Sequence, residues 1–169
     1  MAEKTYQPSW SHQLLEFHDL TIEDLEQLVE IERGGYSFPW SERLFRESIG
    51  SGYLSFGVWL QDELLGYAIS TLVLDEVHLL NLCVHSRFRR QGLARYLLRQ
   101  LIARAQQSGA SKVLLEVRVS NHGALALYAS EGFERCGRRP EYYPDPKGRE
   151  DAQVMLLALG SDSEAPGLL

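Results

Sequence analysis

Glu116 stands inside the apolar run Val113-Leu114-Leu115-Glu116-Val117. Burying a lone carboxylate is costly, so this one must be paired, hydrated or engaged in chemistry. A strand carboxylate on a wet face, paired with Arg118 or Lys112, is one reading; a functional carboxylate is the other. Tyr128 follows Asn121 by seven residues, two helical turns, which sets both on a similar face. Its phenol is either a core tyrosine with a satisfied hydroxyl or a proton donor. The segment from Val84 to Arg95 leaves an apolar strand and opens a helix. A helix start carries unpaired N–H groups and the positive dipole end, and small residues at Gly92 and Ala94 let an anion approach. Arginines there add charge-assisted bonds, so the turn suits a pyrophosphate; the competing reading is a surface loop with solvated arginines. Charge layout favours the first. No Asp or Glu occurs between Val77 and Leu115, whereas Arg87, Arg89, Arg90, Arg95, Arg99, Arg104 and Lys112 do. There is no Gly-Lys-Ser/Thr and no three-glycine fingerprint, which excludes Walker-type and dinucleotide loops.

The elements that must position these groups follow from periodicity. Thr21 caps a helix with Ile22, Leu25, Leu28, Val29 and Ile31 on one stripe, ending before Gly34-Gly35. Ser41 caps a second with Leu44, Phe45 and Ile49 inward. Strands are expected near 53–60, 64–74 and 76–84 as an antiparallel meander. Apolar residues at 93, 97, 98, 101, 102 and 105 predict a helix over 93–107, stopped by Ser108-Gly109. A strand over 112–117, a helix capped by Asn121 and ended by Gly132, and strands near 133–138 and 152–159 complete the order. Residues 1–15 read as a loose lead-in, 16–159 as one catalytic domain, and 160–169 as a polar, flexible tail.

Composition bounds the function. The 169 residues suit one domain with ragged ends, and 44% apolar residues can build a core without staples. Seventeen Lys and Arg against 23 acids leave a net charge of −6, which speaks against direct, sequence-independent nucleic-acid binding. The first residues lack the apolar stretch of a secretory signal, and no run approaches the roughly 20 residues of a membrane span. Cys83 and Cys136 are the only cysteines, with no metal-ligand spacing, so neither a disulfide scaffold nor a metal is expected. A reducing cytoplasm fits best.

Arg89-Arg90-Gln91-Gly92-Leu93-Ala94 resembles the acetyl-CoA motif of the GNAT acyltransferases, Arg/Gln-x-x-Gly-x-Gly/Ala. Phe38-Pro39-Trp40-Ser41, Leu115-Glu116-Val117-Arg118, Ser120-Asn121, Ala126-Leu127-Tyr128, Gly132-Phe133, Tyr142-Tyr143-Pro144 and Arg149-Glu150-Asp151-Ala152 resemble the bacterial ribosomal-protein-alanine N-acetyltransferases. The likeness covers about residues 16–159. Departures are Ala94, where many members have glycine, and Pro140 ahead of the two tyrosines.

The resemblance implies the α/β (α+β) GNAT fold: a mixed, mostly antiparallel sheet flanked by helices, with a splayed strand pair at the acetyl-CoA site. It implies acetyl-CoA as co-substrate and, as partner, the N-terminal alanine of small-subunit ribosomal protein eighteen. Glu116 becomes the general base, through water, and Tyr128 the general acid toward the CoA sulfur. Asn121, Arg89, Arg90, Gln91, Gly92, Leu93, Ala94 and Arg95 become cofactor contacts, with Leu82, Cys83 and Val84 bonding the pantetheine arm as an added strand would. Cys83 then reads as a small buried residue rather than an acetylated intermediate. Tyr142 and Tyr143, with Phe38 and Trp40, become walls of the acceptor slot. An α-amine has a reference pKa near 7.7–8.0, so freeing it at neutral pH costs about one unit, roughly 1.4 kcal/mol. A phenol near 10 protonating a thiolate near 8.5 runs uphill by about 1.5 units, roughly 2 kcal/mol. The alternatives are a lysine or small-amine acceptor on the same fold, and a non-catalytic acyl-CoA-binding regulator. The seven acids between Glu16 and Glu32 either steer a basic chain terminus or form a solvated helix side. A monomer is the default oligomeric expectation.

Overall fold

Half-buried Leu15 and Phe17 alternate with exposed Glu16 and His18, and this short period-two pattern makes β1 (Leu15–Asp19), a strand absent from the expected order. The computed structural model describes residues 14–50 and 53–160. The lead-in through residue 13 and the tail from residue 161 lie outside the described residues. The order continues with a 3₁₀ turn Ile22–Asp24, α1 (Leu25–Gly35), α2 (Glu42–Ser48), β2 (Tyr53–Leu60), β3 (Glu63–Val73) and β4 (Glu76–Val84). It ends with a 3₁₀ turn Ser86–Phe88, α3 (Leu93–Gln107), β5 (Lys112–Arg118), α4 (His122–Ser130), β6 (Glu134–Asp145) and β7 (Gly148–Ala158). The strands are hydrogen-bonded in the order β1-β2-β3-β4-β5-β7-β6. The fold is therefore α/β with a mixed seven-stranded sheet, as expected.

The chain divides into two units, one comprising residues through Thr71 with Leu80–Leu101, the other Leu72–Leu79 with Ile102 onward. In the first unit, Leu25, Leu28 and Ile31 of α1 pack with Phe45 of α2 and with Trp59, Leu64, Tyr67, Ile69 and Cys83. Three details differ from the sequence expectation. Thr21 caps the 3₁₀ turn, not α1: its N–H donates to Asp24 Oδ2 at 2.7 Å, and Ile22 is left 50% exposed. Leu44 points outward, because a seven-residue helix offers one narrow face and Phe45 occupies it. And α1 runs through Gly34-Gly35. A Cβ on Gly35 would stand 2.7 Å from Cys83 Sγ, so the glycine permits close packing rather than ending the helix.

A buried carboxylate ties this unit together. Glu32 is 2% exposed; its Oε2 accepts from Tyr67 Oη and from Asn81 Nδ2, the latter at 2.9 Å, and its Oε1 accepts from the Trp40 N–H at 2.9 Å. Three donors from β3, β4 and the segment before α2 satisfy it, as a buried charge requires.

In the second unit, Val113, Leu115 and Val117 of β5 are buried on one face, which Met155 of β7 shares, and Leu125, Tyr128 and Phe133 are buried as well. The strand alternates, leaving Lys112, Leu114, Glu116 and Arg118 half-buried on its other face. β5 pairs in parallel with β4 from Glu76↔Lys112 to Leu79↔Leu115, and antiparallel with β7 along its whole length. The parallel ladder ends there although β4 continues to Val84 and β5 to Arg118. β6 and β7 are longer than expected and extend into the region read as an acceptor loop. Between Arg139↔Ala152 and Tyr143↔Glu150 the register shifts, so Pro140, Glu141 and Tyr142 bulge opposite Asp151. Among the described residues, no helix is long and apolar enough to cross a membrane.

Candidate active site

The first unit holds the expected anion turn. After β4 the chain makes a 3₁₀ turn and reaches α3 through Arg90 at φ 58° and Gly92 at φ 84°. Left-handed residues so close together form the kind of concave backbone that binds anions, here next to the N-terminus of a 15-residue helix. Nothing lies within 4 Å of where a Gly92 Cβ would stand. Gln91 Oε1 is buried with no hydrogen-bond partner among the described residues. Open space at a left-handed glycine beside a helix N-terminus fits a phosphate-bearing ligand, whereas the orphaned Gln91 oxygen is an acceptor and suits a donor group of the ligand.

The seven cations of this stretch do not form one site. Arg87 pairs with Glu63, and Lys112 lies 2.8 Å from Glu76 in the second unit. Arg89 directs its guanidinium to Gly34 O at 3.0 Å and Val84 O at 3.4 Å, pinning the end of α1 to the end of β4. Arg90, exposed, and Arg95, half-buried, flank the turn with Leu93 and Ala94. On β4 the Leu82 carbonyl accepts the Tyr36 hydroxyl at 2.6 Å, so a ligand taking that carbonyl must compete with Tyr36. Cys83 is 5% exposed, and burial pushes its thiol up to about 12, with the Glu32 carboxylate adding to the effect. It is a packing residue, not a nucleophile. Phe38 is 45% exposed, whereas Trp40 is partly buried and packs against the core with its ring 5.5 Å from Phe45.

The second unit carries the proton-transfer candidates. Glu116 has neither partner offered by the sequence: Arg118 binds Glu150 at 3.2 Å and Lys112 binds Glu76. Its Oε1 instead lies 2.8 Å from Arg139 Nε, and the Glu116 carboxylate holds the Tyr142 hydroxyl above its usual pKa. The side chain remains 25% exposed. Arg139 lies 5.4 Å from the Tyr142 ring centroid, and that ring meets Tyr143 edge-on at 4.9 Å. Glu116 is thus paired from β6 by the residue that immediately precedes the bulge.

Tyr128 is 8% exposed, its ring 5.8 Å from Phe133, and burial pushes its hydroxyl up to about 12. Asn121 is exposed and caps α4, its Oδ1 accepting from the Ala124 N–H at 3.1 Å. The two therefore part company: one faces the core, the other solvent.

The Arg149-Glu150-Asp151 motif builds the bulge. Arg149 donates to Glu141 O and Tyr142 O at 2.7 and 2.8 Å. Asp151 accepts from the N–H of Glu141, whose φ is 49°. Glu150 accepts from the Ser120 N–H at 2.8 Å and from Arg118, which donates to Pro144 O and stacks 4.6 Å from the Tyr143 ring. Each charged side chain fixes one edge of the segment that presents the two tyrosines. Among the described residues no group of three or more metal-ligating side chains gathers.

The description "Acetyltransferase (GNAT) family" matches residues 25–133. The chain is 41% identical over 140 residues to the [ribosomal protein bS18]-alanine N-acetyltransferase of Escherichia coli K12, spanning 83% of this chain and 95% of that protein. It is 37% identical over 137 residues to the protein of the same name from Haemophilus influenzae, spanning 80% and 93%. The crystal structure of the Escherichia coli ribosomal-protein-S18-alanine N-acetyltransferase superposes with a TM-score of 0.82 at 38% identity, covering 89% of this chain and 98% of that one. With a glycine turn, a strand glutamate and a helix tyrosine in place, and these relatives matched over nearly their full length, the chain belongs to the GNAT acetyltransferase family.

Proposed function

We propose that this protein transfers the acetyl group of acetyl-CoA to the α-amine of the N-terminal alanine of ribosomal protein bS18. The observation that carries this reading is 41% identity extending over 95% of a relative that bears that activity in its name. Acetyl-CoA supplies an activated thioester carbonyl. Its phosphates would be held by the backbone of Arg90–Ala94, with Gln91 and Arg95 beside it and Arg89 bracing the turn. Backbone groups of Leu82–Val84 would hold the pantetheine arm, and Asn121 can add its amide N–H without leaving the cap. Tyr142 and Tyr143 would wall the acceptor slot, with Phe38 as an exposed candidate.

Freeing the acceptor α-amine costs only about one pKa unit at neutral pH, and Glu116, directly or through water, takes the proton that the nitrogen sheds as it attacks the thioester carbonyl. Tyr128 holds a proton at its hydroxyl oxygen for the departing sulfur. With that hydroxyl at about 12, transfer to a thiolate near 8.5 is uphill by about 3.5 units, roughly 5 kcal/mol rather than 2. Tyr128 is therefore a hydrogen-bond donor first, and gives up its proton only as the sulfur's charge is itself cut off from water.

Mass spectrometry of protein N-termini from cells with and without this protein tests the reading. Acetylation of the bS18 alanine should disappear with the protein; its persistence at the original level would reject the assignment. A lysine-bearing peptide with a blocked N-terminus, offered to the purified enzyme, should remain unmodified.

A further inference from the structure

A carboxylate beside an amine works against its own purpose as a base. An opposite charge within about 4–6 Å stabilises the ammonium form and raises its pKa, so Glu116 alone would trap the acceptor as an unreactive ion pair. The structure adds a cation at that point. Arg139 Nε lies 2.8 Å from Glu116 Oε1, and its guanidinium lies 5.4 Å from the ring of Tyr142 in the bulge.

We propose that Arg139 is a positioning residue that occupies one oxygen of Glu116 and, through its fixed positive charge, keeps the acceptor amine neutral in the bound complex. This deepens the acetyltransferase reading and rests on it. The surrounding charges are compatible. From β5, Arg118 pairs with Glu150 of β7; from β6, Arg138 lies 2.9 Å from Asp151 of β7. Tyr143 of β6 and Tyr128 of α4 stay neutral through the physiological range, both raised chiefly by burial. Glu116 and Arg139 are then the pair whose balance an incoming amine meets. An ammonium is drawn by one and repelled by the other, whereas a neutral amine suffers neither and, as it attacks the thioester carbonyl and its nitrogen turns positive, can pass the excess proton to the remaining carboxylate oxygen.

Single-turnover acetylation of a peptide beginning with alanine, at saturating peptide and acetyl-CoA from pH 6 to 9.5, reads the protonation of the bound amine. In Arg139→Gln the acid limb should move up by roughly half a unit or more, so that the rate falls at pH 7 and recovers by pH 9. Arg139→Lys should keep the wild-type limb, and Arg135→Gln, which removes a charge elsewhere on β6, should leave the profile unchanged. A merely structural role would lower the Arg139→Gln rate equally at every pH. That result, or a limb at the wild-type position, overturns the proposal while leaving the acetyltransferase reading intact. Full activity of Glu116→Gln, or failure of the wild type to acetylate the peptide, would instead remove the reading on which it rests.

Discussion

In the proposed reaction two proton movements would fall to Glu116, a carboxylate that is 25% exposed, and Tyr128, a phenol that is 8% exposed. Both would have to be reset each turnover, Glu116 by losing a proton and Tyr128 by regaining one. Replacing the carboxylate by an amide in Glu116→Gln removes the base, and Tyr128→Phe removes the donor hydroxyl. Each should lower turnover at least tenfold, with acetyl-CoA binding measured by calorimetry little changed. Full activity in both would remove these roles. The polar break in an apolar strand made Glu116 legible in the sequence, but its partner was not. Arg139 lies 23 positions away, on a strand that reaches Glu116 only through the β5-β7-β6 order, and its distance to Glu116 depends on a bulge. Two adjacent arginines ahead of Tyr-Tyr-Pro were the only local hint.

Elements with their own periodicity were legible: β4 and α3 begin and end where the apolar pattern does, and Ser41 and Asn121 cap as their types require. β6 was not, since it is exposed along most of its length, contains Pro140, and is held by side-chain bonds from β7 instead of an apolar face. The glycine pair of α1 misled for a similar reason, because its cause lies on another element. That cause makes a sharp contrast. A Cβ on Gly35 would meet Cys83 Sγ at 2.7 Å and Arg89 Nη2 at 3.2 Å, whereas one on Gly34 meets only Ser86 Oγ at 3.9 Å. Gly35→Ala should therefore destabilise by about 1–3 kcal/mol through overpacking, and Gly34→Ala should gain up to about 1 kcal/mol of helix propensity. Urea unfolding of the two variants checks this, and Cys83→Ala in the Gly35→Ala background should restore part of the loss. Equal effects at both glycines would mean that the contact to Cys83 does not limit the site.

Across the whole molecule the charge of −6 conceals a local organisation, since residues 77–115 are wholly basic and the remaining 130 carry −13. Three of the seven cations in that stretch, Arg87, Arg89 and Lys112, are paired or tied to backbone within their own unit, while Arg90 and Arg95 flank the turn at Gly92. The buried neutral groups have a larger effect on stability. Cys83 and Tyr67 in the first unit, and Tyr128 and Tyr143 in the second, all have their acidities weakened chiefly by burial. A group whose pKa is higher in the folded chain than in the unfolded one contributes fully below the unfolded value and loses that contribution as pH rises through the folded value. For Cys83 the window opens near 8.5, the reference thiol value, and closes at about 12. For Tyr128 it opens near 10 and also closes at about 12. Stability should therefore be level from pH 7 to 8.5 and then fall, with about 2 kcal/mol lost through Cys83 by pH 10 and a steeper decline once the tyrosines join. Urea midpoints at pH 7, 8.5 and 10 measure the slope, and Cys83→Ala should flatten the segment between 8.5 and 10 while leaving the later decline in place. A wild-type midpoint unchanged at pH 10 would show that the Cys83 thiol ionises in the folded protein as readily as in the unfolded chain, in conflict with its 5% exposure.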